Sequence, residues 1–177
     1  MEIALPDGFD PDLSPGASIA VNGVCLTIRN LLPNGFIANV SQETAQRTTL
    51  ASLHPNTDVN LELPVTPASA LDGHIVLGHV DCLGWIQALY YDRDSWSLLV
   101  SFPPAYRRYV AEKGSVAIDG ISLTSFGIES SSFRCAIVPE TYERTTLHER
   151  RAGDPVNLEF DVLAKYVERM MGDVYFD

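Results

Sequence analysis

The sequence is poor in cysteine: Cys25, Cys82 and Cys135 are widely spaced, odd in number and form no CxxC pair. Such a set argues against a disulfide framework and a zinc knuckle, and fits a reducing cytosol. Long apolar runs are missing as well. No stretch approaches the roughly 18 residues of a membrane span, and the opening Met1-Glu2-Ile3-Ala4-Leu5-Pro6 has neither a basic region nor an apolar core of signal-peptide type. Positive charge is scarce, with 12 Lys and Arg against 23 Asp and Glu and a net charge of −11. The densest basic spot is the short Tyr106-Arg107-Arg108-Tyr109. Phosphate neutralisation needs a basic face, so nucleic-acid binding is disfavoured and the acidity reads as a solubility feature. There is no glycine-rich phosphate loop, GxSxG elbow, HExxH or paired-carboxylate pattern. His74 and His79 lie five residues apart, on opposite faces of a regular strand and without a third ligand nearby, so no metal site is expected. They read as ligand-bonding or structural histidines. What remains is a 177-residue chain, 46% hydrophobic, long enough for one medium domain or two small ones.

The chain repeats itself. Ser18-Ile19-Ala20-Val21-Asn22-Gly23-Val24-Cys25-Leu26-Thr27 matches Ser115-Val116-Ala117-Ile118-Asp119-Gly120-Ile121-Ser122-Leu123-Thr124, placing residue 18 on residue 115 at an offset of 97. Phe36 falls on Phe133, Arg47-Thr48-Thr49-Leu50 on Arg144-Thr145-Thr146-Leu147, and Val59-Asn60-Leu61-Glu62 on Val156-Asn157-Leu158-Glu159. The register holds without a gap from residue 18 to residue 62. The second copy begins earlier, near Gly73, with strand-like runs at residues 74–80 and 84–90. By its own symmetry the first copy lacks roughly 20–25 residues, including at least one strand.

Short β-branched and apolar runs bounded by Gly, Pro, Asn and Asp predict strands over residues 18–28, 36–40, 59–63, 96–102, 115–124, 133–138 and 155–160. Pro33-Asn34-Gly35 and Ser130-Ser131-Ser132 read as equivalent hairpin turns, residues 11–14 and 106–112 as helical turns, and residues 64–71 as a linker. Leu163, Tyr166, Val167, Met170 and Val174 recur at helical spacing and predict a final helix from residue 162 to about residue 174. Two antiparallel barrels of about six strands and a C-terminal helix satisfy these signals. The expected boundaries are residues 1–70, 71–161 and 162–177.

Side chains alternate along a strand, so Cys25 and Thr27 share one face and Leu26 takes the other, as do Ser122 and Thr124 against Leu123. With leucine filling the core, the polar pair lines either a pocket or a solvated face. Gly23 and Gly120 read as a bulge, a close ligand approach or a strand kink. Lys113, at a strand entry, is either a pocket cation or a turn lysine, and Arg47, Arg144, Glu62 and Glu159 read as structural first.

Taken together, Val21-Asn22-Gly23-Val24-Cys25-Leu26-Thr27, Gly73-His74-Ile75-Val76-Leu77-Gly78-His79-Val80-Asp81, Ile118-Asp119-Gly120-Ile121-Ser122-Leu123-Thr124, Val138-Pro139-Glu140-Thr141 and Leu163-Ala164-Lys165-Tyr166-Val167-Glu168-Arg169 resemble the riboflavin synthase family over nearly the whole chain. The resemblance implies an all-β protein of two tandem six-stranded antiparallel Greek-key barrels, the first incomplete, plus a C-terminal α-helix. It implies a cytoplasmic transferase that dismutates two molecules of 6,7-dimethyl-8-ribityllumazine by four-carbon transfer, with no metal or redox cofactor. It further implies a homotrimer held by the C-terminal helix, a site between the N-barrel of one subunit and the C-barrel of the next, and lumazine synthase as a protein partner. By motif, Ser18, Cys25, Leu26, Thr27, Asn39, Val40, Ser41, Gln42, Glu43 and Thr44 fall in the N-barrel site. Gly78, His79, Val80, Lys113, Ser122, Leu123, Thr124, Val138, Pro139, Glu140, Thr141, Tyr142 and Glu143 fall in the C-barrel site. Cys25, His79 and Ser18 are the expected proton-handling or nucleophile-activating groups. The sequence departs from the family at its start: the usual Met-Phe-Thr-Gly-Ile segment is not there, and Met1 to Pro6 resembles the family's second strand. The expectation is a first barrel with an open edge and an incomplete pocket. The alternatives are a non-catalytic lumazine- or flavin-binding protein of the same family, and a ligand-free interaction module.

Overall fold

The computed structural model describes residues 1–9, 11–71 and 73–172. In chain order the first unit holds β1 (Glu2–Ala4), β2 (Ser18–Val21), β3 (Val24–Leu32), β4 (Gly35–Ala38), α1 (Gln42–Arg47) and β5 (Leu61–Glu62). The second holds β6 (Cys82–Asp92), β7 (Ser95–Ser101), β8 (Ser115–Ile118), β9 (Ile121–Phe126), β10 (Ser132–Ile137), α2 (Pro139–Arg144) and β11 (Pro155–Phe160), followed by α3 (Val162–Met171). The period-two pattern sets the faces. Val24, Leu26 and Ile28 of β3 are buried while Cys25 and Thr27 stand on the opposite face, and β9 repeats this with Leu123 inside and Ser122 and Thr124 outside.

All strand pairs are antiparallel. The second unit is a closed barrel in the order β10-β7-β6-β11-β8-β9, and the first is a five-stranded sheet in the order β1-β4-β3-β2-β5. The sequence offset carries β1 onto β7, β2 onto β8, β3 onto β9, β4 onto β10 and β5 onto β11. Each unit has its own core, one around Ile19, Val21, Leu26, Ile28 and Phe36, the other around Ile86, Leu98, Val100, Phe133, Leu158 and Phe160. The expected all-β fold, with one closed six-stranded barrel, one incomplete sheet and a C-terminal helix, is observed.

Several local expectations are corrected. Residues 18–28 and 115–124 are hairpins rather than single strands, broken at Asn22-Gly23 and Asp119-Gly120. These four residues have φ of 46°, 70°, 47° and 84°, the left-handed pair that a two-residue hairpin turn requires. The two turns abut, and a Cβ on Gly23 would lie 2.4 Å from the Gly120 nitrogen. The glycines are needed for that mutual approach, not for a bulge or a strand kink. Residues 74–80 form no strand; the amides of Leu77, Gly78 and His79 bond the Glu159 carboxylate instead of a ladder. Residues 11–14 form no helix; the Leu13 amide bonds the Pro11 carbonyl at 2.8 Å in a tight turn. Of residues 59–63 only Leu61–Glu62 pairs as strand. The predicted continuation of α3 to Val174 lies outside the described residues.

The junction of the units is a reciprocal polar network. The Asn60 side chain donates to the Asp119 carbonyl at 3.0 Å and accepts from the Thr146 amide at 2.9 Å. The Asn157 side chain donates to the Asn22 carbonyl and accepts from the Thr49 amide, both at 2.8 Å. The Asn60 amide donates to the Asn22 side chain at 2.7 Å, and the Asn157 amide to the Asp119 carboxylate at 2.8 Å. Offset-related asparagines thus play the same part across the two turns, and these buried hydrogen bonds favour one arrangement, although Asn22 Nδ2 and Thr146 Oγ1 are buried with no partner among the described residues. The symmetry breaks at Asp119, which is buried and paired with Arg150 at 2.8 Å, where the first unit has Asn22 and Leu53. α3 is tied to the barrel by Lys165 with Asp81 at 2.6 Å, by Arg108 with Glu168 at 2.6 Å, and by the Tyr109 hydroxyl on Glu168. Its Leu163, Tyr166, Val167 and Met170 remain exposed.

Candidate functional site

One irregular segment, residues 73–80, crosses the junction and touches both copies of the repeated motif. Its backbone is held by Glu159 of β11, a buried carboxylate that accepts the amides of Leu77, Gly78 and His79 at 2.8, 2.9 and 3.1 Å. Charged acceptors make the stronger hydrogen bonds, and three on one side chain set the path of the loop. Gly78 has φ of 75° and its carbonyl accepts the Cys25 amide at 2.8 Å. A Cβ there would lie 2.8 Å from the Cys25 Cβ, so only glycine can cross β3 at this distance. Val80 packs against the first core. At its other end the segment lays Gly73 over Ser122, and His74 Nδ1 shares a 2.8 Å hydrogen bond with Ser122 Oγ. Cys25 and Ser122 occupy equivalent positions in the two copies, and one loop reaches both.

A cavity of about 300 Å³ opens where this loop and the linker meet the second barrel, lined among others by Glu62, Leu71, His74, Val76, Gly120 and Ser122. Its size is at the lower end for small-molecule sites. Its walls are mixed, with aliphatic side chains facing a hydroxyl, an imidazole and a carboxylate. Burial lowers the His74 pKa below the ordinary histidine value, although the carboxylates of Asp161 and Glu159 pull it upward. Its Nε2 is buried with no partner among the described residues. Burial also raises the Glu62 pKa. A neutral imidazole bonded to a hydroxyl through one nitrogen, with the other nitrogen unpaired, can take or give a proton to a bound molecule.

The structure distributes the sequence-predicted residues unevenly. Ser122 lines the cavity, joined by His74. Thr124 follows Ser122 on the outer face of β9. Ser18 pairs directly across from Thr27, and Ala20 across from Cys25, so Ser18, Thr27 and Cys25 share the outer face of the first sheet, with Gly78 over Cys25. The His79 side chain is exposed. Leu26 and Leu123 point into the cores, leaving only their main chain for a ligand. Val40 packs on the first core, while Asn39, Ser41, Gln42 and Glu43 are exposed around α1. There Ser41 Oγ caps the helix by accepting the Thr44 amide at 3.0 Å. The equivalent stretch is Val138, Pro139, Glu140, Thr141, Tyr142 and Glu143. Its Tyr142 ring stacks on Trp96 at 3.7 Å, and Glu140 pairs with Arg144 at 3.4 Å on the surface. Lys113 is an exposed turn residue with φ of 61°, its Nζ 5.1 Å from the Phe126 ring centroid, and it is not part of the cavity lining. Glu62 and Glu159 are the residues sequence reasoning undervalued. The signal was the Asn-Leu-Glu recurrence, which marked the pair without saying what the carboxylates face.

Comparison with known proteins gives a family. The model of the lumazine binding domain matches residues 1–64 and again residues 77–161. The riboflavin synthase of Mycobacterium tuberculosis is 47% identical over 165 residues, covering 90% of this chain and 82% of that protein. The riboflavin synthase of Actinobacillus pleuropneumoniae is 42% identical over 160 residues, covering 90% and 74%, and that of Bacillus subtilis is 35% identical over 167 residues, covering 90% and 74%. Among solved structures, LumP complexed with riboflavin superposes with a TM-score of 0.82 at 19% identity, covering 90% of this chain and 86% of that one. LumP complexed with 6,7-dimethyl-8-(1'-D-ribityl) lumazine gives a TM-score of 0.80 at 18% identity, covering 90% and 85%. At that identity the likeness is one of fold.

Proposed function

The chain belongs to the riboflavin synthase family, with its lumazine-binding domain present twice, and from that premise we propose that it converts two molecules of 6,7-dimethyl-8-ribityllumazine into riboflavin and 5-amino-6-ribitylamino-pyrimidinedione. The C7 methyl of the lumazine is acidic because its carbanion delocalises into the ring. The protein must therefore hold two flat heterocycles face to face, assist loss of that proton, and help a nucleophile add to C7 of the acceptor.

The observation that carries the reading is the convergence of Ser122 and His74 in a cavity at the junction of the repeats. His74, kept neutral by burial, is suited to exchange a proton at Nε2 while Nδ1 orients the Ser122 hydroxyl. On the first unit, Ser18, Thr27 and Cys25 line up on the outer face of the strand hairpin, and His79 follows the glycine laid over Cys25. We assign proton handling and nucleophile activation to Cys25, His79 and Ser18 for the molecule held there. The exposed apolar face of α3, with Met170 at 86% exposure, supports assembly into a homotrimer through that helix. Its substrate would come from lumazine synthase, the proposed protein partner. Three free cysteines support a cytoplasmic location; no helix among the described residues is long and apolar enough to cross a membrane.

The test is the pair Ser122→Ala and His74→Asn, followed by riboflavin absorbance and by lumazine fluorescence. Turnover is expected to fall about a hundredfold, within the range for loss of a proton-transfer group, while lumazine binding persists. Unchanged turnover in both variants would contradict the assignment. Lumazine binding by the parent chain without any riboflavin would favour the non-catalytic binder.

A further inference from the structure

Three consecutive residues of β11 hold the loop that crosses to the first unit. The Leu158 carbonyl accepts the Asp81 amide at 2.8 Å, and the Glu159 carboxylate accepts the amides of Leu77, Gly78 and His79. The Phe160 amide donates to Asp81 Oδ2 at 2.8 Å. The loop therefore ends at Asp81, and β6 begins one position later at Cys82. The Asp81 carbonyl accepts the Tyr106 hydroxyl at 3.1 Å, and the Tyr106 ring lies on the Phe160 ring with centroids 5.5 Å apart. Beyond Phe160 the chain enters α3 and returns to the same point, where Lys165 Nζ lies 2.6 Å from Asp81 Oδ2.

This pair differs from the ion pairs within α1 and α2. Glu43 with Arg47 and Glu140 with Arg144 are more than half exposed, whereas the Lys165 and Asp81 side chains are 27% and 17% exposed. Solvent screens the inner pair less, and removing its cation leaves a largely buried carboxylate uncompensated. The pair also matters to the helix, because no residue of α3 is fully buried. Lys165 and Glu168 stand one turn apart and grip the barrel, Glu168 through Arg108 at 2.6 Å and through the Tyr109 hydroxyl. Leu163, Tyr166, Val167 and Met170 lie on the exposed side. Polar ties thus seat the helix, and one of them ends on the oxygen that also fixes the loop. Asp81 is two residues from His79 and three from Gly78, whose carbonyl accepts the Cys25 amide at 2.8 Å.

We propose that Lys165 is a positioning residue: by pairing with Asp81 it fastens the far end of the crossing loop, so that seating α3 on the barrel and setting Gly78 over Cys25, with His79 next to it, are one coupled event. Lys165 touches no substrate and acts through Asp81. A loop held by Glu159 alone can pivot about the amides of residues 77–79. A second anchor at Asp81 removes that freedom, and placement to within about 1 Å is what catalysis by orientation needs. The effect on catalysis rests on the reading, proposed above, that His79 and Cys25 act on the lumazine. The hold of Lys165 on the loop stands without it.

The experiment compares the full chain with Lys165→Met, Asp81→Asn, the double variant and Lys165→Arg, by native-state hydrogen exchange and by steady-state riboflavin formation. Lys165→Met should speed exchange at the amides of residues 77–79 and of Cys25 about tenfold while those of β9 and β10 keep their rates. In the same variant kcat should fall about tenfold with KM changed by less than about twofold. Asp81→Asn keeps an acceptor for the Phe160 amide and should act alike, which preserves the test if Lys165→Met does not fold. The double variant should be no worse than either single one, because all three remove the same pair. Lys165→Arg keeps the charge and should restore both readings to within about twofold of the parent. Unchanged exchange at residues 77–79, protection lost evenly over the barrel, additive effects in the double variant, or a change in KM without one in kcat would each overturn the proposal. A parent chain that forms no riboflavin would sink the functional reading instead, and the exchange rates would still decide whether Lys165 holds the loop.

Discussion

Replacing Glu159 by glutamine tests how the candidate site is held together. The carboxylate accepts the amides of Leu77, Gly78 and His79 at 2.8, 2.9 and 3.1 Å while almost wholly buried. A hydrogen bond to a charged group contributes about 1.5–3 kcal/mol net, and a buried donor left without an acceptor costs about 1–3 kcal/mol. Glutamine keeps one acceptor oxygen and turns an NH₂ toward the remaining donors, so one bond weakens and at least one amide loses its partner. The expected loss is about 2–4 kcal/mol, a large share of the ~5–15 kcal/mol that holds a domain folded. Urea unfolding followed by circular dichroism measures the total. Native-state hydrogen exchange locates it: the amides of residues 77–79 should lose more protection than those of β8, and the Cys25 amide, bonded to the Gly78 carbonyl at 2.8 Å, should follow them. A Glu159→Gln protein as stable as the parent to within about 0.5 kcal/mol, with those amides still protected, would refute the claim that this carboxylate organises the loop.

Gly23→Ala should be far more damaging than Gly153→Ala. Both glycines have positive φ, 70° and 96°, but a Cβ on Gly23 meets the Gly120 nitrogen at 2.4 Å while one on Gly153 meets nothing within 4 Å. Thermal unfolding should show about 2–4 kcal/mol lost for the first and about 1 kcal/mol for the second, and equal losses would contradict the abutting-turn geometry. Arg150→Met should destabilise in a pH-dependent way. Burial raises the Asp119 pKa from 3.8 to about 6 even with Arg150 pulling it down, so the folded state holds this proton more tightly than the unfolded one. Asp119's contribution is therefore greatest at low pH and is lost as pH rises through the folded pKa, which losing Arg150 pushes higher. The variant should approach the parent near pH 4 and fall by up to about 2.7 kcal/mol below it at pH 8, the most that two pH units above a folded pKa of about 6 allow; a pH-independent deficit in urea unfolding would contradict this. His74 titrates below the ordinary 6.5 through burial. Its unfolded form then binds protons more readily, so its contribution is present above pH 6.5 and declines as pH falls through the folded pKa. An NMR titration placing His74 at or above 6.5 would refute its burial.

Much of the architecture was legible because the two units carry the same residues in the same register. A core leucine between two outward polar residues, as in Cys25-Leu26-Thr27 and Ser122-Leu123-Thr124, stated the strand faces directly. The hairpins were hidden within continuous β-branched runs, where Asn22-Gly23 and Asp119-Gly120 are the only local sign of a turn. Residues 74–80 read as a strand because Ile75, Val76, Leu77 and Val80 suit one. The carboxylate that takes their amides lies 80 to 82 positions away, and no local pattern reveals it. The same distance hid the cavity. Ser122 was recognisable by motif, but its partnership with His74 and its proximity to Glu62 depend on where the linker folds. The recurrence of Glu62 and Glu159 was visible, but not that Glu159 accepts three backbone amides while Glu62 has no hydrogen-bond partner among the described residues.

The central claim is most directly tested by stoichiometry. The purified chain is incubated with 6,7-dimethyl-8-ribityllumazine as sole substrate, and lumazine loss, riboflavin gain and pyrimidinedione gain are measured together by chromatography. Four-carbon transfer between two identical molecules predicts two lumazines consumed for each riboflavin formed, with one pyrimidinedione released and no metal or redox cofactor added. Lumazine bound and recovered unchanged, or riboflavin formed in any other ratio, would contradict it.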